Sequence, residues 1–235
     1  MFAVDHAATA LLIKRRYPSV PMTPVLLAVQ AMELAWVGLN YVGLERTTTG
    51  DPVRSVADIQ LASMPYSHSV ATAVGAALVA WVIVEKGLQR PALGRAIGLG
   101  IVSHLVLDLA THGHDIVLSP GWPEPRLGLG LYAAAPLAAF FVELIYGVCC
   151  WLVYPAGRGL LALIVAGNVA NLSFFSAAIP GPEQYLANRP TLVVTTVFVQ
   201  IIVTLSLVGL LAQRYARDAV AEPTPLHRRH ASGPA

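Results

Sequence analysis

Apolar residues run almost unbroken along this chain, and the polar ones gather into short segments between them. Runs long enough to cross a bilayer, about 20 residues at helical rise, fall at about 22–44, 66–85, 93–112, 131–154, 159–179 and 190–212. The segments between them, such as ERTTTGDPVRSVADIQ, KGLQRPALGR and GHDIVLSPGWPEPRLG, carry the Pro, Gly and charge that end helices. The first 16 or so residues form a shorter helix with little polar surface, stopped by Pro18 and Pro21 after the basic cluster Lys14-Arg15-Arg16. The pattern predicts an all-α fold, a polytopic membrane bundle of about six transmembrane helices plus the short N-terminal helix. It occupies residues 1–213, and a Pro- and charge-rich tail, 214–235, reads as disordered and cytoplasmic.

Composition agrees. Hydrophobic residues make up 56% and charged residues 12%, about half the charge of a soluble domain. A net charge of +2 is too small to suggest a nucleic-acid partner; the expected partner is the lipid bilayer. The N-terminal stretch lacks the order of a cleavable signal, since its apolar part precedes KRR and contains Asp5 and His6. With six spans and the N-terminal cluster inside, eleven Lys and Arg fall on the inner side and four (Arg46, Arg54, Arg126, Arg189) outside. That bias places both termini in the cytoplasm of a bacterial-type inner membrane. Cys149 and Cys150 are adjacent in an apolar run and imply no disulfide framework.

Against this background the stretch SHLVLDLATHGHD, residues 103–115, is out of place. His104, Asp108 and His112 recur every fourth residue, so a helix carries all three on one stripe, each about 6 Å above the last. An ionisable group at the centre of a membrane helix costs on the order of 3 kcal/mol, and no Lys or Arg lies inside any predicted span to compensate. A divalent ion is the economical partner, because imidazole supplies neutral nitrogen ligands and Asp an opposing charge. The plainer reading is a polar contact between helices, with Asp108 protonated or paired to a protonated histidine.

Other groups fall at compatible depths. His68 lies in PYSHS at the outer start of the second span, and Glu33 and Glu143 lie mid-span. His6 is about 12 Å from KRR along the first helix by helical rise. His6, His68, His104, Asp108 and His112 are the candidate metal ligands, and Glu33 and Asp108 the candidate catalytic carboxylates. Taken singly, His6, Glu33 and Glu143 read equally well as packing or hydrogen-bonding groups. His114 and Asp115, just past the span, read as loop or supporting groups.

Ser67-His68-Ser69 opening one membrane helix, then Ser103-His104, Asp108 and Thr111 closing the next, then LSPGWPEP, resembles the membrane-bound metal-dependent hydrolases of the YdjM-like inner-membrane family. His6 fits that family's N-terminal histidine. The resemblance covers about residues 1–155. Its H-x-x-x-D element is similar to one in zinc-dependent phospholipases C and P1-type nucleases, which implies an all-helical metal site acting on phosphoester bonds. The chain departs from better-known members, which carry D-x-D-H after the first span and His-Arg before T-H-S. Here Glu33 is followed by Leu34 and Ala35, and Met-Pro-Tyr replaces the His-Arg. A branch with D/E-L-x-W is closer, matched by Glu33-Leu34-Ala35-Trp36.

The expected function is therefore a membrane-embedded metal-dependent hydrolase. Its cofactor would be a divalent metal, Zn²⁺ first, with Mn²⁺ or Fe²⁺ as alternatives, and its substrate a lipid phosphoester or small ester near the outer leaflet. Glu33 would act as general base. Two other readings use the same residues: a proton- or ion-coupled transporter, and a non-catalytic membrane protein braced by a structural metal site.

Overall fold

The structure, a computed structural model, describes residues 1–154 and 156–221. Its centre is the helix that composition makes least conspicuous. Helix α1 (Ala3–Arg16) is buried on nearly every side, with Ala7, Ala8, Ala10 and Leu11 at the core. Alanines let neighbouring backbones approach closely, and α2, α5, α7, α8 and α9 all pack on α1. Its basic last turn, Lys14 to Arg16, complements the negative end of the helix dipole.

Around this post stand α2 (Met22–Val29), α3 (Ala31–Tyr41), α4 (Val70–Val82, extended by a π turn Ile83–Gly87) and α5 (Pro91–Thr111). A short α6 (Leu131–Ala134), α7 (Pro136–Val153), α8 (Arg158–Ala170) and α9 (Pro190–Ala221) complete the bundle. Helices α2 and α3 meet at Gln30 with a bend of 54°. The Gln30 side chain is fully buried, and its Nε2 donates to the Ala3 carbonyl at 2.8 Å, which ties the bend to the start of α1. Helices α4 and α5 form an antiparallel pair whose close approach needs glycine. A Cβ on Gly94 would meet the Trp81 carbonyl at 2.9 Å. Likewise a Cβ on Gly100 would meet the Ala28 side chain at 2.8 Å, so α2 and α5 also cross at contact distance.

Two features refine the expected architecture. The described residues are mostly helical, as expected, with two short hairpins added. β1 (Arg46–Thr49) pairs antiparallel with β2 (Ile59–Ser63), and β3 (Ile116–Ser119) with β4 (Trp122–Leu127). Both hairpins occupy segments whose polarity reads as loop. In the second, Pro120-Gly121 turns the chain between Ser119 and Trp122, with Pro presetting φ for the turn. Nor are six spans confirmed. Among the described residues four helices are long and apolar enough to cross a membrane (α4 with its π turn, α5, α7 and α9), and the bent α2–α3 pair would make a fifth. Helix α8 has 13 residues, about 20 Å, against about 30 Å of hydrocarbon, and gives way to a 3-10 turn at Leu172–Phe175.

These helices show apolar side chains outward, among them Leu78 and Val79 on α4, Phe141 and Ile145 on α7, and Ile202 on α9. Outward apolar faces on several helices fit a protein surrounded by lipid. Helix α9 runs past 214 to Ala221, so the segment read as tail begins as helix. The remainder of that tail, with HRRH, lies outside the described residues.

Candidate metal centre

Three elements bring four donors together. Glu33 stands in the first turn of α3, just after the bend. His68 precedes Ser69, the N-cap of α4, whose hydroxyl accepts from the Thr72 N–H at 3.2 Å. His104 and Asp108 are one turn apart on α5. The donor atoms alternate nitrogen and oxygen. Glu33 Oε2 is 3.2 Å from His68 Nε2 and 3.5 Å from His104 Nε2. Asp108 Oδ2 is 3.5 Å from His68 Nε2 and 3.1 Å from His104 Nε2. All four ligand atoms lie within 4.8 Å of one another.

Size and direction together decide what such a ring fits. Donors at about 2.0–2.2 Å from one ion, as for Zn²⁺, are about 3.3–3.5 Å apart at tetrahedral angles, close to the four separations found. Direction agrees with size. His68 Nε2, His104 Nε2 and Asp108 Oδ2 are buried and none has a hydrogen-bond partner, despite those short approaches. In an imidazolium–carboxylate pair the N–H would point at the oxygen. Here the atoms approach side by side.

The tautomers point the same way. His104 Nδ1 is 2.9 Å from the Val29 carbonyl, which can only accept, so Nδ1 carries the hydrogen and Nε2 a free lone pair. His68 Nδ1 is 2.8 Å from Ser67 Oγ, and that hydroxyl donates to Glu45 Oε2 at 2.6 Å. Its proton thus committed, Ser67 Oγ accepts from His68 Nδ1–H, which leaves His68 Nε2 bare as well. Glu45 is buried, and its other oxygen accepts the backbone N–H of Tyr66 and Ser67, each at 2.8 Å. Two bare imidazole nitrogens and two carboxylates facing one point are a donor set for a cation. Glu33, His68, His104 and Asp108 could hold a metal ion.

His6 and His112, expected as ligands, stand outside this ring. Both face the second oxygen of Asp108, with His6 Nε2 at 3.1 Å and His112 Nε2 at 3.7 Å from Oδ1. The Met1 ammonium donates to the same oxygen at 2.8 Å. His6 stacks flat on His104, ring centroids 3.9 Å apart. The reason for His112 is local. Helix α5 ends at Thr111, and His112 is its C-cap with φ −67° and ψ 155°, so the every-fourth-residue stripe breaks there. His112 Nδ1 also lies 3.5 Å from Asp115 Oδ2, a supporting contact in the loop. Glu143 is buried away from the ring, accepting from Tyr132 Oη at 2.6 Å and Phe2 N at 3.1 Å.

No protein-family model, curated protein sequence or solved structure matches this chain. What the centre can do is therefore read from its own geometry. The ring is unevenly covered. The side chains of His68, His104 and Asp108 are at most 1% exposed, and that of Glu33 is 22% exposed. Glu33 lines a cavity of about 840 Å³, together with His6 and His112. A divalent ion between the four donors would have protein behind it and an approach through the cavity in front.

Sequence reasoning missed Glu45, which reads as the first residue of a solvated loop, and Asp5. Asp5 is buried on α1, where it accepts from Asn168 Nδ2 at 3.2 Å. The signal for Asp5 was present, an acid inside an apolar helix. For Glu45 no periodic signal exists.

Proposed function

We propose that this protein is a membrane-embedded metal-dependent hydrolase of ester or phosphoester bonds, with a divalent ion, Zn²⁺ first, held by His68, His104 and Asp108. The observation that carries the reading is the asymmetry of the ring, three buried donors and one carboxylate, Glu33, at the edge of a large cavity. Two histidines and a carboxylate with one side left to solvent and substrate is a donor set found at catalytic zinc. A bound ion there supplies Lewis acidity and makes water easier to deprotonate.

The chain's own residues do the rest. Glu33 Oε accepts the water's proton as the water oxygen bonds to carbon or phosphorus. The bond to the alcohol oxygen breaks, that oxygen leaves with the electron pair, and the proton returns from Glu33 to it. His6 and His112 hold Asp108 from behind through its second oxygen. The Val29 carbonyl and the Glu45–Ser67 pair fix the two ring tautomers.

The proposed orientation has the basic end of α1 and the far end of α9 on the cytoplasmic side of an inner membrane, with the hairpins outside; Met1, bonded to Asp108, lies within the bundle and not in the cytoplasm. The end of α1, the start of α5 and the end of α9 share one apolar cluster, and the Lys and Arg excess lies at that end.

A second reading has support in one observation: Glu33 Oε2 lies as close to both imidazoles as Asp108 does. As a fourth ligand it would close a structural site. One experiment separates the two. Glu33→Gln is purified and assayed for metal and for hydrolysis of bis(p-nitrophenyl) phosphate. Retained metal with lost turnover supports the hydrolase; lost metal, with wild type inactive on every ester tried, supports the structural site.

A further inference from the structure

The cavity beside Glu33 is far larger than a water path needs, and its shape follows from one short helix. Because α8 stops at Ala170, the hairpin-side half of α9 has no full-length neighbour on that flank. The last residues of α8 and the following turn contribute Ala170, Asn171 and Phe174 to the cavity wall. Helix α9 contributes Val193, Thr196, Val197, Val199, Gln200 and Val203. From Val193 to Val203 is about 15 Å of a helix apolar enough to cross a membrane. Of these residues, Thr196, Val199 and Val203 are exposed, and so are Phe198 and Ile202, which do not line the cavity. A cavity walled by a helix with exposed apolar positions on more than one side fits an opening through the flank of the bundle, at a level where lipid chains would lie. Gln200 Nε2 donates to Asn171 Oδ1 at 3.0 Å and bridges α9 to the end of α8 at that opening.

The walls combine two characters. Val193, Val197, Val199 and Val203 of α9 and Trp36 give them a broad apolar surface. His112, His114 and Arg126, with Asp115 among them, line the same cavity, and Arg126 keeps 42% exposure. Glu33, at the edge of the donor ring, lines it too. A hydrocarbon berth, the edge of a metal-binding ring and an arginine on one cavity match one kind of molecule. The volume lies in the range of about 300–1,000 Å³ typical of small-molecule sites.

We infer that the substrate is a membrane lipid that enters sideways past α9, lays an acyl chain along Val193–Val203, and presents a phosphoester to the ring at Glu33. This rests on the hydrolase reading for its chemistry and on the cavity alone for its ligand. The products are a lipid alcohol and a phosphate monoester: one water adds, and one phosphorus–oxygen ester bond breaks.

The test uses the whole chain in vesicles of phosphatidylglycerol containing a fraction of phosphatidylglycerol with a photoreactive diazirine in its acyl chain. After illumination the labelled residues are mapped by mass spectrometry, and the metal content of the same samples is measured. The inference expects label on Trp36, Val193 and Val197. It expects a tenfold or greater loss of that label in Val197→Trp, or in Thr196→Trp should the first variant not accumulate, with metal content unchanged. Label confined to the outward faces of α4 and α7, at Leu78 and Ile145, overturns it. So does cavity label undiminished by both tryptophans. Equal labelling from a diazirine diacylglycerol, which lacks the phosphate, overturns the phosphoester assignment. Cavity label in a protein that binds no metal keeps the lipid berth and defeats the hydrolase reading instead, so the two fail separately.

Discussion

Asp108 Oδ2 and His104 Nε2, one helical turn apart on α5, lie 3.1 Å from each other, and both are buried without a hydrogen bond. A buried polar atom left unpaired costs about 1–3 kcal/mol, more for a charged one, so two of them in contact need a common partner. A cation between them and the matching atoms of His68 and Glu33 is that partner. Purified wild type should therefore carry a divalent metal by elemental analysis. His104→Ala and Asp108→Asn should carry less than about one tenth as much, since each removes one of the donors such a site needs. Wild type that binds no metal at any tested ion concentration would return the ring to a set of helix-packing contacts.

Metal bound to the folded state alone should stabilise it. At an ion concentration about 100-fold above Kd the gain is about 2.7 kcal/mol. A chelator should lower the unfolding midpoint of wild type and leave that of Asp108→Asn unchanged, as read by thermal unfolding in detergent with and without the chelator. Equal shifts in both proteins would place the chelated ion elsewhere.

Glu45 is predicted to act on the centre without touching it. Its Oε2 takes the Ser67 proton, which obliges Ser67 Oγ to accept from His68 and keeps His68 Nε2 bare. Glu45→Gln can present an N–H to Ser67 instead, freeing the hydroxyl to donate to His68 Nδ1 and favouring the wrong tautomer. Metal affinity, measured by competition with a chromophoric chelator, should fall by about 10–100-fold, the range for such supporting groups. The ¹⁵N shifts of His68 should report the tautomer change, which a purely structural role for Glu45 would leave untouched.

The site was legible in the sequence where periodicity and charge scarcity spoke together. His104 and Asp108 share a helix face by spacing alone, and with no cation inside any span their need for a partner could be stated before any coordinates. His68 was legible from its place at a helix start. What failed was anything decided by where a helix stops. His112 continues the stripe on paper, yet α5 ends one residue earlier. Residues 159–179 are apolar enough for a span, yet α8 ends at Ala170, and the cavity owes its opening to that end. Glu45 lay in a run of polar residues, where burial is a tertiary fact that no local pattern carries. The hairpins were hidden because β1 (RTTT) has no apolar residue and β4 (WPEPRL) carries two prolines, so neither shows the alternation that marks a half-buried strand.

Gly147 on α7 faces the core of the bundle beneath the site. A Cβ there would stand 2.7 Å from Ile164 Cγ2 and 2.8 Å from Asp5 Oδ1. Gly147→Ala should destabilise the protein by about 1–3 kcal/mol, as overpacking does, although alanine is the better helix former. Chemical unfolding of variant and wild type side by side checks the sign; a more stable variant would mean that α7 and α8 can part at no cost.

The placement of His6 and His112 behind Asp108 makes a ranking that the five-ligand expectation does not. A ligand lost from the ring removes a bond to the ion. A residue lost from behind Asp108 removes only a contact that orients the carboxylate: for His6 a hydrogen bond and the flat stack on His104, for His112 an approach at 3.7 Å. His6→Ala and His112→Ala should therefore weaken metal binding by about 10–100-fold, as for supporting groups, and still bind at raised ion concentration. His68→Ala and His104→Ala should fail to bind there. Of the two supporting histidines His6 should matter more, because its contact to Asp108 Oδ1 is 3.1 Å and that of His112 is 3.7 Å. Titration of the four variants with Zn²⁺ under one competing chelator gives the order directly. Should His6→Ala prove as deficient as His104→Ala, His6 belongs in the ring, and Asp108 must be using both oxygens to hold the ion.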